Sequence, residues 1–272
     1  MNSSRPNAIR TASIGWVIFT VIGEVIYLLL APILAANGAI PVVASQRLAD
    51  AYTIMYIFTI AAIPVFTLVV TFVGYAIYAF WNKGRPTEDG PAITGNARLQ
   101  LTWILISIAL AGFLYVVGFQ GLAAIQASPQ SNAIVVNVTG EQWLWNYSYP
   151  GYKNAGSTTL MLPINHQILF RIHSIDVQHS FWIPELGVKE DAVPGEINQA
   201  TITPTRLGTY QVRCMELCGI YHAYMNTPVE VVSMSDFLSW VQAQPPVVAP
   251  PSAYVLPSLS APVALVGVGK SS

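Results

Sequence analysis

Three long apolar runs precede residue 127, and short runs of β-branched residues broken by turn formers follow it. Residues 14–36 carry a single charge, Glu24, and residues 53–81 and 101–125 carry none. A helix needs roughly 20 apolar residues to cross the hydrocarbon core, so each run predicts a membrane-spanning helix. Pro64 predicts a kink in the second, tolerated where neighbours satisfy the freed carbonyl. The stretch Asn82–Asn96, with three glycines and two prolines, predicts a polar hairpin between antiparallel helices. From Asn132 the pattern shortens. Strands are predicted at Ala133–Thr139, Thr158–Leu162, Ile168–His173, Asn198–Thr203, Thr209–Arg213 and Val229–Val232, a spacing that argues for a β-sandwich or barrel. A short closing helix is expected over Ser235–Gln242. The Pro- and Ala-rich residues from Ala243 predict an extended tail lying over a partner or left mobile.

Composition sharpens this division. Charged residues make up 9% of the chain and hydrophobic ones 53%, which separates it from ordinary soluble proteins. We therefore divide the chain into a transmembrane region (1–126), an all-β domain (127–242) and a tail (243–272). The formal net charge of -1 comes with no basic cluster, so nucleic acid is not an expected partner. Arg5 and Arg10 precede the first apolar run, and Lys83, Arg85 and Arg98 lie between the second and third. By the positive-inside rule these segments are cytoplasmic, and everything after residue 127 lies outside. The first run is read as a retained third helix, with a secretory signal ending near Leu34-Ala35-Ala36 as the alternative. As a retained helix it would turn Glu24 towards a partner subunit, because a carboxyl facing lipid is costly.

The candidate chemistry lies in Cys214-Met215-Glu216-Leu217-Cys218-Gly219-Ile220-Tyr221-His222-Ala223-Tyr224-Met225. Both cysteines of the chain are here, with a histidine and a methionine. Thiolate, imidazole and thioether form a soft donor set that suits copper far better than magnesium or calcium. A disulfide would account for the cysteines alone. Structural zinc prefers four Cys or His ligands and has no use for the methionine. A thiol-redox or copper-delivery protein also uses a C-x3-C pair, but leaves His222 and Met225 without a task. Two thiolates can bridge a pair of copper ions, which then needs a second histidine from elsewhere. His179, in Asp176-Val177-Gln178-His179-Ser180-Phe181, is the candidate. His166 and His173 sit at strand edges and read as structural.

This run closely resembles the dinuclear copper loop of subunit II of haem-copper cytochrome oxidases. Two further segments resemble that family: Val177–Lys189 followed by Asp191-Ala192-Val193-Pro194-Gly195, and Gln142-Trp143-Leu144-Trp145-Asn146-Tyr147. The resemblance implies a cupredoxin-like Greek-key sandwich with the copper loop between its last strands. It implies two copper ions bridged by Cys214 and Cys218, with His179 and His222 binding one each. Met225 and the Glu216 carbonyl would be weak axial ligands. The Glu216 carboxylate would help hold a magnesium or manganese ion at the boundary with subunit I, and Trp143 would be the surface residue that receives electrons. Implied partners are subunits I and III and a cytochrome c or another small carrier, in a bacterial inner membrane with the copper domain on the periplasmic side. The implied function is to pass single electrons to a haem in subunit I, where oxygen becomes water as protons are translocated. Trp143 and Trp145, flanking Leu144, are expected on one face of a strand. Asp176, Glu141, Glu185 and Glu190 are an expected acidic docking patch for a basic donor, since residues 128–272 hold nine acids and six bases. Two positions depart from the family pattern: Gln100 stands where many relatives carry a glutamate at the mouth of a proton pathway, and Glu196 stands where they carry arginine.

Overall fold

The three apolar runs form helices that begin earlier than the runs themselves: α1 (Arg5–Ala36), α2 (Gln46–Phe80) and α3 (Ala97–Ile125). This computed structural model describes residues 5–81 and 95–247, so the hairpin expected between α2 and α3, and most of the tail, lie outside the described residues. All three helices are long and apolar enough to cross a membrane. α2 and α3 are capped at these early starts: Ser45 Oγ accepts from Leu48 N at 3.1 Å, and Asn96 Oδ1 accepts from Leu99 N at 3.1 Å, so polar residues extend both spans at their N-termini.

α1 lies against α2 along a seam of small and hydroxylated residues. Trp16 Nε1 donates to Pro64 O at 2.9 Å, the Thr20 and Thr67 hydroxyls meet at 2.7 Å, and Tyr27 stacks on Tyr56 at 5.9 Å. Such contacts drive helix association where no hydrophobic force exists between helices. One Glu24 oxygen is enclosed within this chain with no hydrogen-bond partner among the described residues.

The start of α2 is built into the β-domain. Ala44 N donates to Glu185 O at 2.9 Å, Gln46 N to Thr203 O at 3.1 Å, and Thr205 N to Ala44 O at 2.8 Å. Ser45, fully buried, donates through Oγ to Leu186 O at 2.7 Å. Gly187 makes the fit: its φ is 63°, and a Cβ there would stand 2.9 Å from that of Leu48. Ser45→Ala removes the helix cap and leaves Leu186 O buried without its donor. We expect a loss of about 1–3 kcal/mol in unfolding free energy, read by denaturant titration of the detergent-solubilised chain. An unchanged midpoint would mean this junction adds no stability.

Among the described residues, ten strands form two five-stranded sheets. One runs β3 (Ala155–Ser157), β2 (Leu144–Tyr149), β1 (Ile134–Glu141), β5 (Ile168–Ser174), β8 (Asn198–Ile202). The other runs β4 (Leu160–Pro163), β10 (Asn226–Val232), β9 (Gly208–Cys214), β6 (His179–Ile183), β7 (Val188–Ala192). β1 pairs in parallel with β5, and β10 with β4; the other pairs are antiparallel. Burial alternates strictly along β1, so Val136 and Val138 enter a core shared with Trp145, Phe170, Phe181 and Val229. The result is a cupredoxin-like sandwich.

Strands β3, β6 and β7 are absent from the predicted set, and β2 is anticipated only as the strand expected at Trp143 and Trp145. β6 is a five-residue segment hidden in a signature motif, and β7 is an edge strand rich in charge, where intrinsic β-propensity says little. The closing helix α4 (Met234–Ala243) is capped by Ser233 and buries Phe237 and Val241. The first tail residues pair with the chain's own sandwich. Gly156 N donates to Pro245 O and Val247 N to Asn154 O, both at 2.8 Å, so Pro245–Val247 cover the free edge of β3.

Candidate metal centre

The hairpin β9–β10 is opened by a loop over residues 214–225, closed at its base where Cys214 N donates to Met225 O at 3.2 Å. Met215 N donates to Ser180 O at 2.9 Å, which ties the loop to β6 beside His179. Within the loop, Gly219 has φ 119°, and a Cβ there would meet the Gln142 and Trp143 side chains at 3.0–3.1 Å. Only glycine lets the chain turn so closely beneath that indole.

Four donors form a string. Cys214 Sγ lies 3.8 Å from His179 Nδ1 and 3.7 Å from Cys218 Sγ, and Cys218 Sγ lies 3.5 Å from His222 Nδ1. Met225 Sδ sits beside Cys218 Sγ at 3.8 Å, and Glu216 O beside Cys214 Sγ at 3.3 Å. His179, Cys214, Cys218 and Met225 are buried, and His222 is half-buried. Both cysteines are free, and their sulfurs stand far beyond the roughly 2.05 Å of a disulfide. His179, Cys214 and Cys218 place their donor atoms within 4.8 Å of one another. That trio leaves out His222 and Met225, which approach only the Cys218 side. A string of donors with an imidazole at each end suits two ions better than one.

The chemistry of the donors fits a soft cation. Burial, reinforced by neighbouring Cys214, pushes the Cys218 thiol up to about 12, so that sulfur keeps its proton until positive charge arrives. Metal binding here would release that proton. The opposite nitrogen of His179, Nε2, hydrogen-bonds Asp176 Oδ1 at 2.9 Å, which leaves Nδ1 to face the sulfurs. Asp176 is itself fixed by Gln142 N (2.7 Å), Val177 N (2.6 Å) and Ser174 Oγ (3.1 Å). Burial raises its pKa, but these donors and His179 more than offset that and hold it below the ordinary value. Carboxylate–histidine pairs of this kind orient a metal ligand. Sequence reasoning gave Asp176 only a docking role; its spacing three residues before His179 was the missed signal. We expect Asp176→Asn to weaken metal affinity by about 10–100-fold, measured by chelator competition on the purified protein. Unchanged affinity would reduce the carboxylate to a loop-folding role.

Trp143 does not share a strand with Trp145. It stands in the turn before β2, half-buried, with Nε1 donating to Cys218 O at 3.1 Å, and Gln142 Nε2 reaches the same carbonyl at 2.7 Å. Trp145 is fully buried and packs edge-on against His179 and Phe181. The four acids expected as one docking patch are divided. Asp176 and Glu141 flank the centre, whereas Glu185 holds the start of α2 and Glu190 interacts with Arg47. Glu216 is exposed and joins no cluster of three potential ligands among the described residues. His166 and His173 lie apart from the donors. Nδ1 of His166 bonds Ile164 O at 2.8 Å, and burial lowers the pKa of His173.

A cupredoxin-like sandwich that continues from membrane-length helices, and gathers soft donors in its last hairpin loop, defines a membrane-associated metal–thiolate protein. The family model for the periplasmic domain of cytochrome c oxidase subunit II matches residues 154–232. The chain is 31% identical over 206 residues to the probable cytochrome c oxidase subunit 2 of Rickettsia bellii, covering 67% of this chain and 76% of that protein. This chain belongs to the cytochrome c oxidase subunit II family. The corresponding protein of Rickettsia prowazekii is 33% identical over 201 residues, covering 64% of this chain and 63% of that one. The chain thus spans just under two thirds of the length of some curated relatives it matches. The crystal structure of the periplasmic domain of subunit II from Bradyrhizobium japonicum is 29% identical, with a TM-score of 0.41, covering 43% of this chain and 96% of that domain.

Proposed function

We propose that this chain takes electrons into a haem-copper terminal oxidase. It would receive them singly from cytochrome c or another periplasmic carrier and pass them to haem in subunit I. There oxygen is reduced to water and protons are translocated. The observation that carries the reading is the string of His179, Cys214, Cys218 and His222, with Met225 beside it. Two copper ions, when bound by this set, supply a reversible one-electron change shared between them.

The remaining work belongs to the protein. Asp176 fixes the tautomer and angle of His179, and Trp145 packs against the imidazole ring. Buried Met225 and the apolar core exclude water from the sulfurs, which keeps the surroundings from reorganising. Trp143 offers its indole to the surface and reaches the backbone of Cys218 through one hydrogen bond, which makes it the natural place for electrons to arrive. Residues 127–242 form the unit that would hold copper, on the periplasmic side of a bacterial inner membrane. The specific contacts of α1 with α2 favour a retained helix over a cleaved signal. Subunits I and III are the expected membrane partners, and exposed Glu216 is the expected contact to a magnesium or manganese ion at the subunit I boundary.

Metal analysis and electron paramagnetic resonance of the purified oxidase test this. Two coppers per chain sharing one unpaired electron are expected. A single zinc, singly bound copper or a Cys214–Cys218 disulfide would overturn it.

A further inference from the structure

Along β1 every second residue enters the core. Ile134, Val136 and Val138 do so with full side chains, and Gly140, next in the alternation, is buried with none. Glycine weakens a strand interior, and there it often marks a place where another group approaches closely. The backbone does not call for it: Gly140 lies in regular register, opposite Trp145 on β2 and Ser174 on β5. Space does. A Cβ at this position would stand 3.0 Å from His179 Cδ2, 3.3 Å from its Cγ and 3.1 Å from Trp145 Cζ3.

We propose that Gly140 is a positioning residue of the metal centre: the side chain it lacks leaves the seat in which the His179 ring rests, and so fixes where Nδ1 meets the sulfur of Cys214. This rests on the reading of His179 as a copper ligand, and adds the residue that sets its position.

The seat is closed on its other sides. His179 Nε2 is bonded to Asp176 Oδ1 at 2.9 Å, and three further donors hold that carboxylate. The Trp145 indole stands edge-on to the imidazole at 5.9 Å and is itself backed by Phe181 at 5.4 Å. His179, Trp145 and Phe181 are all fully buried, in an interior packed too densely to take a methyl group without movement. Cδ2 stands across the ring from Nδ1. A group pressing on it therefore displaces Nδ1 relative to Cys214 Sγ, which lies 3.8 Å away.

The other end of the donor string is built differently. His222 is half-buried on a single 3-10 turn inside the loop (His222–Tyr224), with Nδ1 3.5 Å from Cys218 Sγ. One imidazole is thus seated in the sandwich, and the other is carried by the loop. Gly140 acts on the His179 position and leaves the His222 position alone, which a general loosening of the domain would not do.

The test compares Gly140→Ala with Val138→Ala, which trims the same face of β1 two residues earlier, in the detergent-solubilised full chain and the purified oxidase. Gly140→Ala is expected to weaken copper binding by about 10–100-fold in chelator competition. Its electron paramagnetic resonance signal should become uneven, with oxidised character shifted onto the copper of His222, whose imidazole is undisturbed. Val138→Ala should lower the unfolding midpoint, with copper affinity within about twofold of the unaltered chain and the signal unchanged. Should Gly140→Ala not fold, the double variant with Trp145→Phe relieves one of the two contacts and carries the test. It should bind copper at least about tenfold more weakly than Trp145→Phe alone. Equal affinity in that pair, or full affinity and an even signal in Gly140→Ala, would overturn the proposal. So would an equal loss in Val138→Ala, the sign that any softening of the core loosens the site. Absence of a shared-electron signal from the unaltered chain would instead remove the proposed function itself.

Discussion

Cys218→Ser is expected to abolish electron transfer through this subunit while the sandwich stays folded. Cys218 is the point at which the donors converge, with Cys214, His222 and Met225 all within 3.8 Å of its sulfur. Serine keeps the shape but replaces a soft, bridging thiolate with a hard oxygen that stays protonated, and soft donors are what select copper. Disturbing a residue that merely supports a ligand costs roughly 10–100-fold in metal affinity, so loss of this ligand should exceed about 100-fold. Burying a hydroxyl in place of the thiol costs about 1–3 kcal/mol, well inside the stability of an ordinary domain. Copper content, the shared-electron resonance signal and turnover of the assembled oxidase would be measured together. Two bound coppers and normal turnover in this variant would contradict the assignment of Cys218 as a bridging ligand.

Phe181→Ala should carry the largest stability penalty, about 3–5 kcal/mol, and should also loosen the metal site. The ring is fully buried and meets Trp145 at 5.4 Å, Phe170 at 5.2 Å and Tyr147 at 6.5 Å. Its backbone lies opposite Cys214 in the β6–β9 pairing, two residues from His179. A cavity there removes the support on which Trp145 rests, and Trp145 packs against the imidazole. Denaturant unfolding of the detergent-solubilised chain would show the midpoint shift, and copper titration a weaker site. A shift under about 1 kcal/mol would mean that neighbouring rings collapse into the space.

The metal loop was legible because its donors are local: two sulfurs, an imidazole and a thioether within one hairpin connection. The spans were legible because hydrocarbon imposes a length and an absence of charge. What escaped depends on distance in sequence. Ser45 lies outside the predicted second span, and nothing near it in sequence announces Leu186 O as its partner. Trp143 and Trp145 share a parity that would place both on one face, yet the turn ends before Leu144 and divides their roles. The acidic residues looked alike as a set, but three had been claimed by different neighbours: Asp176 by His179, Glu141 by Asn146, Glu190 by Arg47. β7 was hidden because Lys189, Glu190 and Asp191 lie on an edge strand, where pairing on one side alone suffices.

The interlocking of residues 44–48 with the sandwich governs how the copper-bearing half is carried. A domain on a loose tether could swivel and ferry its charge between partners; one keyed in by Ala44, Ser45 and Gln46 has no such hinge at that join. On the proposed function, its donor would have to travel to it, and its acceptor would have to wait at a set bearing. A water-soluble fragment trimmed at residue 127 would lack this key and carry an open slot beside Leu186 and Thr203, which a synthetic peptide of residues 40–48 should fill.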